Sequence, residues 1–315
     1  MSDNEPGWER KVLEKLALAA VQEQRRARHW SIFFKTLGFL YLVALLVVFL
    51  GWYKTGQSTI SGEHTALVDL QGEISANRES ADKVIDGLDA AFKDSKTKGV
   101  ILRINSPGGS PVQAGEIYDE MMRLRAKYPK VPLYVVVDDM CASGGYYVAS
   151  AADKIYVNKA SIVGSIGVLM DGFGFTGTMD KLGVQRRLLT AGKNKDFLDP
   201  FSPEVPSQVA YAKQMLQQIH QQFIDAVEAG RGSRLKLDTP GLFSGLMWTG
   251  QDAVKIGLAD GYGSVDSVAR DVIHAKNIVD YTPRNSLVDR FAQRFGVAMA
   301  RALGITEAAQ PWHLR

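Results

Sequence analysis

One long, uncharged apolar stretch dominates the pattern of hydrophobic and polar positions along the chain. Leu37–Tyr53 contains no charged residue, and Lys35 is the one charge between it and the apolar run Trp30–Phe34. A helix needs about 20 consecutive apolar residues to span a bilayer, so the stretch predicts a transmembrane helix over residues 30–54. Core helices are seldom apolar on every side for this length, and no small-x-small cleavage pattern after Trp52 indicates a removable signal peptide.

Charged residues around this stretch predict its orientation. Only Lys54 follows it closely, whereas four basic side chains crowd its amino side: Arg25, Arg26, Arg28 and Lys35. By the positive-inside rule, we expect residues 1–29 in the cytoplasm and the larger C-terminal part outside. Within that first segment, Trp8–Val21 has the apolar spacing of a helix. Such a helix lies on the inner membrane surface, pairs with a partner or is simply solvated, and the spacing favours none of the three.

Strand-like and helix-like patterns alternate through the rest of the chain. The alternation predicts an α/β fold with largely parallel strands, in which loops at strand ends carry the chemistry. The polar residues 55–64 are expected to form a linker, residues 65–280 the folded domain, and residues 281–315 an amphipathic helix (Leu287–Leu303) with a tail. The expected strands are Thr65–Leu70, Gly99–Ile104, Val131–Val137, Asp153–Val157 and Ser165–Met170, and the expected helices are Ser80–Lys96, Val112–Lys127 and Ser207–Glu228.

Composition narrows the function classes. The 37 basic and 34 acidic side chains leave a formal net charge of +3, so we expect no basic face of the kind that binds nucleic acid. Cys141 is the one cysteine, which excludes an internal disulfide. Gly172–Gly177 matches G-x-G-x-x-G, but no strand-turn-helix unit frames it, and we expect no nucleotide or other cofactor. No metal site is expected either, because the histidines form no ligand-like pair: His29, His64, His220, His274 and His313.

Two glycine-rich motifs stand where an expected strand passes into a helix. In Asn105–Gly109 (NSPGG), the glycines leave backbone N–H groups able to face a ligand, although a tight turn alone would use the same residues. In Met140–Tyr147 (MCASGGYY), Ser143 is flanked by small residues, which give a nucleophile the exposure it needs. The N–H of Gly144 would then point at the same oxyanion as a donor from the glycine turn.

The base that would activate Ser143 is not an obvious histidine. A serine hydroxyl needs a neighbouring group to take its proton, and no histidine occurs between His64 and His220. A lysine can serve where burial or a nearby positive charge lowers its pKa toward neutrality. Lys193 and Lys195, in the run TAGKNKDF, are the candidates, and spacing alone does not separate them.

Three segments, in order, resemble one known family. The runs INSPGGS, MCASGGYYVASAADKIYVNKASIVGSIGV and AGKNKDFLDPF are similar to the signal peptide peptidase A family, the Ser/Lys membrane proteases of bacteria, in its short single-domain form. The resemblance covers about residues 65–275. It implies a crotonase-like spiral of ββα units, the fold shared with the Clp protease, and assembly of several subunits as a ring or dome.

The same resemblance implies a role for each motif residue and makes residues 65–280 a serine protease domain. It gives Lys193 no role in catalysis. Ser110–Pro111 stands where the family pattern has another glycine or a small apolar residue, so Gly108 and Gly109 both remain open as donors. In the short form, the dyad can be completed across a subunit boundary. The implied roles are nucleophile for Ser143, general base for Lys195, orientation of the lysine for Ser165, and oxyanion donors for Gly109 and Gly144.

Substrate and location also follow from the resemblance. It implies a single-pass protein of the bacterial inner membrane that acts outside the cytoplasm on peptide substrates, namely cleaved signal peptides and misfolded exported proteins. Two alternatives stay open. A crotonase-type enzyme would use similar glycine turns on an acyl-CoA thioester, although an exported domain has no coenzyme A and Ser143→Ala would spare such an activity. A catalytically inactive membrane scaffold would leave Ser143 unreactive toward a serine-directed probe.

Overall fold

One long helix contains all the described residues of the N-terminal unit. The computed structural model describes residues 8–54, 62–283 and 313–314, and the chain divides into two units, residues 1–59 and 60–315. In the first unit, α1 (Trp8–Lys54) runs for 47 residues, or about 70 Å at the rise of an α-helix. Its stretch Leu13–Leu46 is long and apolar enough to cross a membrane, by length and composition. The helix expected over Trp8–Val21 is confirmed and continues unbroken into the expected span.

The second unit is built on a largely parallel sheet. The strands of the described residues are β1 (His64–Gln71), β2 (Thr97–Ser106), β3 (Leu133–Ala142), β4 (Lys154–Val157), β5 (Ile162–Gly164), β6 (Met170–Asp171), β7 (Met247–Thr249), β8 (Gly261–Tyr262), β9 (Ile278–Asp280) and β10 (His313–Leu314). The main sheet has the order β7-β5-β3-β2-β1-β9, and β4 pairs with β3 and β8 beside this path. Its pairs are parallel except β5 with β7. The short strands β6 and β10 pair antiparallel with each other.

Helices connect the strands and cover the sheet. The described helices of this unit are α2 (Glu79–Lys93), α3 (Pro111–Lys127), α4 (Gly144–Ser150), α5 (Thr176–Lys181), α6 (Pro206–Arg231), α7 (Gly250–Ile256) and α8 (Val265–Ser267). The start of α3 explains why the sequence departs from the family pattern after the glycine pair. Ser110 is the N-cap and its side chain accepts from the N–H of Gln113, while Pro111 takes the first helical position, where a missing N–H costs nothing.

The central strands are buried on both faces, which is why they are apolar almost throughout. The larger core lies between the sheet and the helices and includes Val68, Leu102 and Val135. A smaller cluster forms on the other face of the same strands, where Leu67 and Ile101 pack with residues near the C-terminal end of the domain. The α/β fold with largely parallel pairing, expected from the alternating pattern, is confirmed.

One expected strand is wrong. The run Ser165–Met170 is largely apolar, but β5 ends at Gly164 and only Met170 of the run belongs to a strand. Gly164 and Ser165 have φ values of 108° and 52°, which turn the backbone out of the extended conformation. The other expected elements in the domain are confirmed within a few residues. The amphipathic helix expected over Leu287–Leu303 and residues 55–61 of the expected linker lie outside the described residues.

Candidate active site

Ser143 lies at a sharp turn between β3 and α4. Its backbone has φ 52° and ψ −125°, a conformation that non-glycine residues seldom adopt. Its carbonyl accepts from the N–H groups of Tyr146 and Tyr147 at 2.8 and 3.0 Å, so the first turn of α4 closes on the serine. Its own N–H donates to the carbonyl of Gly164 at 2.8 Å. These bonds fix the backbone on both sides of a serine that is only partly buried.

The glycine turn after β2 meets this serine. A methyl carbon placed on Gly108 would lie 2.7 Å from the nitrogen of Gly144 and 2.7 Å from Cβ of Ser143. One placed on Gly144 would lie 3.4 Å from the nitrogen of Gly109. The two motifs that the sequence singled out therefore approach as bare backbone, at a distance that a side chain on Gly108 would prevent.

The two glycines of the turn, Gly108 and Gly109, differ in their hydrogen bonds. The N–H of Gly108 donates to the buried hydroxyl of Ser106 at 3.1 Å, and its carbonyl accepts from the N–H of Ile74 at 2.8 Å. Ile74 also accepts at its carbonyl from the N–H of Ser110, at 2.8 Å. Neither of these two bonds to Ile74 uses the N–H of Gly109. Among the described residues, the N–H groups of Gly109 and Gly144 donate to no protein acceptor, so both remain able to bind an anionic oxygen.

Ser165 lies beside Ser143 across the β3 and β5 pair. Ala142 is paired with Gly164 in that ladder, so each serine is the next residue beyond the last pair. Ser165 is partly buried, has φ 52°, and its N–H donates to the carbonyl of Leu246 at 2.8 Å. The structure thus brings together Ser143, Ser165, Gly109 and Gly144, four of the five residues to which the resemblance gave roles.

An apolar cavity opens at Ser143. Its lining combines both glycine motifs with the middle of α6 and consists of Gly109, Pro111, Ala114, Ser143, Gly144, Tyr147, Gly167, Val168, Ile219, Gln222 and Phe223. The rings of Tyr147 and Phe223 meet edge to face, with centroids 5.1 Å apart. Burial raises the pKa of the Tyr147 hydroxyl, which keeps this wall uncharged at neutral pH. Sequence reasoning predicted the helix but not its cavity-lining face, because residues about 80 positions from Ser143 meet it only in the fold.

Lys195 is not brought to Ser143. It lies exposed in a turn, where its own N–H donates to the carbonyl of Gly192 at 3.1 Å, and Lys193 is exposed in the same turn. No lysine lines the cavity at Ser143, and no hydrogen bond among the described residues joins either lysine to this serine. Within one chain, the serine therefore has the free N–H groups of Gly109 and Gly144 beside it, and no hydrogen bond to either candidate lysine is described.

The segment that carries Lys195 exposes large apolar side chains. Leu189 is 97% exposed, Phe173 is 79% exposed and Leu182 is 72% exposed. Single exposed apolar residues are ordinary on protein surfaces, but a concentration of them marks a surface that another molecule covers. Cys141, two residues before the serine, is fully buried, and burial raises the pKa of its thiol. The cysteine is thus a packed side chain, as expected, rather than a second nucleophile.

Comparison with known proteins identifies the family. The family model for Clp protease matches residues 62–163, and the model for peptidase family S49 matches residues 125–278. The provisionally named protease MJ0651 of Methanocaldococcus jannaschii is 33% identical over 228 residues, which cover 69% of this chain and 72% of that protein. The chain belongs to peptidase family S49. Its domain has the crotonase/Clp-protease-like fold that the resemblance implied.

Other relatives of this S49 chain differ from it in length or are more distant. A Brucella melitensis protein named Na(+)/H(+) antiporter NhaA is 46% identical over 183 residues, covering 58% of this chain and 25% of that protein. The chain thus spans only a quarter of that relative, and the antiporter name describes that protein alone. The solved 1510-N membrane-bound stomatin-specific protease matches with a TM-score of 0.41 and 14% identity, over 75% of this chain and 99% of that one. A likeness this distant has no bearing on substrate or mechanism.

Proposed function

We propose that this member of family S49 is a membrane-anchored serine endopeptidase with Ser143 as its nucleophile. The observation that carries the proposal is the backbone at this serine, with φ 52° and ψ −125° at a strand-to-helix turn beside two unused N–H groups. Holding a non-glycine residue in such a conformation costs about 1–3 kcal/mol. Folds retain strain of this kind chiefly at functional positions, where it exposes a reacting group.

The oxyanion donors in this proposal are Gly109 and Gly144. Gly108 is the weaker candidate, because its N–H already donates to Ser106 Oγ at 3.1 Å. A tetrahedral intermediate places a negative oxygen next to the nucleophile, and backbone N–H groups aimed at that point stabilise the transition state more than the substrate. The contact of the two glycine motifs supports this assignment, since it sets both N–H groups beside Ser143.

We place the general base, Lys195, in a neighbouring subunit of a ring or dome. A lysine acts as a base only when its ammonium is partly desolvated, whereas Lys195 is exposed in a single chain. The exposed Phe173, Leu182 and Leu189 on the same segment are side chains that a second copy would bury. Docking of this segment on the next subunit would bring Lys195 toward that subunit's Ser143 and Ser165 and remove it from water.

The reaction is acyl transfer. The neutral amine of Lys195 takes the proton from Ser143 Oγ, and Oγ forms a bond to the substrate's peptide carbon. The N–H groups of Gly109 and Gly144 hold the resulting oxyanion. As the C–N bond breaks, the lysine ammonium returns a proton to the leaving amine, and an acyl-serine remains. Water, deprotonated by the same amine, then releases the acid and restores the serine.

Spent signal peptides are the proposed substrates, with misfolded exported proteins as a second group. The apolar cavity at Ser143 suits the side chains of a signal peptide core, which is rich in apolar residues. With the N-terminus in the cytoplasm, as the basic residues before the span predict, α1 would anchor the catalytic domain on the outer side of the inner membrane. Peptides left in that membrane would then be within reach.

The test is intact-mass analysis of the full chain in detergent after treatment with a fluorophosphonate, alongside cleavage of a synthetic signal peptide. We expect labelling and cleavage with wild type and with Lys193→Ala, the matched exposed lysine. Ser143→Ala and Lys195→Ala should remain folded and inert. Coexpression of these two inert variants should restore about a quarter of wild-type activity, because one in four randomly formed interfaces pairs an intact serine with an intact lysine.

Each contrary result has its own meaning. Cleavage by Ser143→Ala would show that the nucleophile is another residue. No labelling and no cleavage by wild type would favour a scaffold without catalysis. Full dependence on Lys195 without recovery in the coexpressed pair would place the base in the same subunit, brought to Ser143 by movement of the segment that carries it.

A further inference from the structure

His220 connects α6 to the strand segment beside the nucleophile. Its half-buried ring lies with Nε2 3.1 Å from the carbonyl oxygen of Ile166. Because a carbonyl oxygen only accepts, Nε2 must carry the hydrogen, which fixes the tautomer of the neutral ring. The N–H of Gly245 donates to the same oxygen at 3.0 Å. The Ile166 carbonyl is therefore held by a helix side chain on one side and by a loop backbone on the other.

The segment held in this way forms one wall of the cavity at Ser143. Gly167 and Val168 line the cavity directly after Ile166. Residues 165–169 belong to no strand, and the bond from His220 is the only side-chain hydrogen bond that they receive among the described residues. Their backbone bonds to the loop at Gly245 and Leu246 come before Gly167. The position of the wall thus depends on how firmly the Ile166 carbonyl is held.

The opposite wall comes from the same turn of helix as His220. Ile219 precedes the histidine and Phe223 follows it by three residues, and both line the cavity. Phe223 is also fixed against the ring of Tyr147, at 5.1 Å between centroids. The hydrogen bond from His220 to Ile166 therefore joins the helix side of the cavity to the segment that contains Gly167 and Val168.

We propose that His220 is a positioning residue that sets the width of the cavity for the substrate side chain preceding the cleaved bond, an inference that rests on the proposed peptidase function. His220 is not among the residues that line the cavity, and its described hydrogen bond goes to Ile166 rather than to Ser143. Loss of its donor frees Gly167 and Val168 to move away from Ile219 and Phe223. A large apolar side chain then loses its fixed placement, and a misplacement of about 1 Å can lower the rate by up to about 100-fold.

Two substitutions separate the hydrogen bond from the bulk of the ring. His220→Leu removes the donor and keeps an apolar side chain of moderate size, whereas His220→Gln keeps an N–H₂ donor at a comparable reach. Gln218→Leu is the matched control, because Gln218 is exposed on α6 and is not among the residues that line the cavity at Ser143. The full chain in detergent would be assayed on peptides with leucine, phenylalanine or alanine before the cleaved bond, with kcat and KM measured separately. Labelling of Ser143 by a small fluorophosphonate would be timed in parallel.

We expect His220→Leu to lower kcat/KM about 10- to 100-fold for leucine and phenylalanine, and by less than about threefold for alanine, which has few contacts to lose. Fluorophosphonate labelling should stay within about twofold of wild type, since this reagent does not need the cavity walls. His220→Gln should recover most of the loss, and Gln218→Leu should match wild type.

Three results would overturn the inference. His220→Leu could match wild type on all three peptides. It could instead lose labelling and all three activities alike, which would mean general damage to the domain. His220→Gln could be as impaired as His220→Leu, which would make the ring rather than the donor the important feature. If wild type is neither labelled nor active, the proposed peptidase function fails, and this inference fails with it. If wild type is active and His220→Leu is unaffected, only this inference fails.

Discussion

Gly108→Ala tests the close approach of the glycine turn to the nucleophile. The added methyl carbon would lie 2.7 Å from the nitrogen of Gly144, 2.7 Å from Cβ of Ser143 and 2.8 Å from the carbonyl oxygen of Ala142. Real Cβ contacts are essentially never this short, so one side must move. The turn cannot easily do so, because both the N–H and the carbonyl of Gly108 are already in hydrogen bonds. The displacement is therefore expected at Gly144, one of the proposed oxyanion donors.

The size of the effect follows from two terms. An alanine held at a φ of 99° costs about 1–2 kcal/mol, and overpacking a tight contact costs about 1–3 kcal/mol more. We therefore expect the free energy of unfolding to fall by about 2–5 kcal/mol. Displacing one oxyanion donor lowers kcat by about 100- to 1000-fold. The rate loss should exceed what the fraction of unfolded protein explains.

Gly72→Ala is the matched control. Gly72 has φ 78°, but a methyl group there would meet nothing within 4 Å, so this variant carries the backbone cost of about 1–2 kcal/mol alone. Urea unfolding followed by circular dichroism gives the stabilities, and peptide cleavage at 10 °C, with the folded fraction measured, gives kcat. If Gly108→Ala is no less stable than Gly72→Ala and keeps kcat within threefold of wild type, the described contact between the two motifs is wrong.

Three other changes probe groups that hold the domain together. Arg231 is fully buried and donates from Nη1 to Asp260 at 2.7 Å, so Arg231→Met should lower the free energy of unfolding in urea by about 3 kcal/mol, the low end for a broken buried ion pair, because Arg234 still pairs with Asp260 at 3.1 Å. The hydroxyl of Tyr281 donates to Asp94 at 2.6 Å. This bond is the main cause that lowers the pKa of Asp94 below 3.8. Burial, together with the same bond, raises the pKa of Tyr281 to about 12. The stability that Tyr281→Phe removes should therefore be present at neutral pH, be lost as pH falls through the lowered pKa of Asp94, and be lost again as pH rises from about 10 to 12. A difference between the two proteins that is independent of pH, in unfolding curves measured across this range, would contradict that account. Finally, Cys141 should resist iodoacetamide in the folded protein and react once urea unfolds it, as intact mass would show; rapid labelling without urea would mean that the thiol is not packed as described.

The sequence predicted those parts of the site whose residues lie close together along the chain. The passage from β3 through Ser143 into α4 needs a strand pattern, a small-residue turn and a helix, all between Leu133 and Ser150. The glycine turn after β2 is equally local. That the two motifs meet follows from β2 and β3 being parallel neighbours, because the carboxyl ends of such strands lie at one edge of the sheet.

The parts that the sequence did not predict depend on distant contacts. The apolar pattern of α6 predicts a helix, but which turn of it covers Ser143 depends on packing against Tyr147 and on the bond from His220 to Ile166. The expected strand at Ser165–Met170 failed for a related reason. The run is largely apolar, but Gly164 and Ser165 have positive φ angles and form hydrogen bonds to Ser143 and to the loop at Leu246, which no local pattern records.

The separation of Lys195 from Ser143 suits the chemistry proposed for the pair. A lysine is a base near neutral pH only when its ammonium is desolvated, and a single chain leaves Lys195 in water. Contact with a second subunit would supply the base and desolvate it in the same event, since the apolar side chains that need covering lie on the segment that carries the lysine. An isolated chain would then hold a strained serine and two oxyanion donors with no base. On this proposed mechanism, catalytic activity would be a property of the assembly rather than of the single chain.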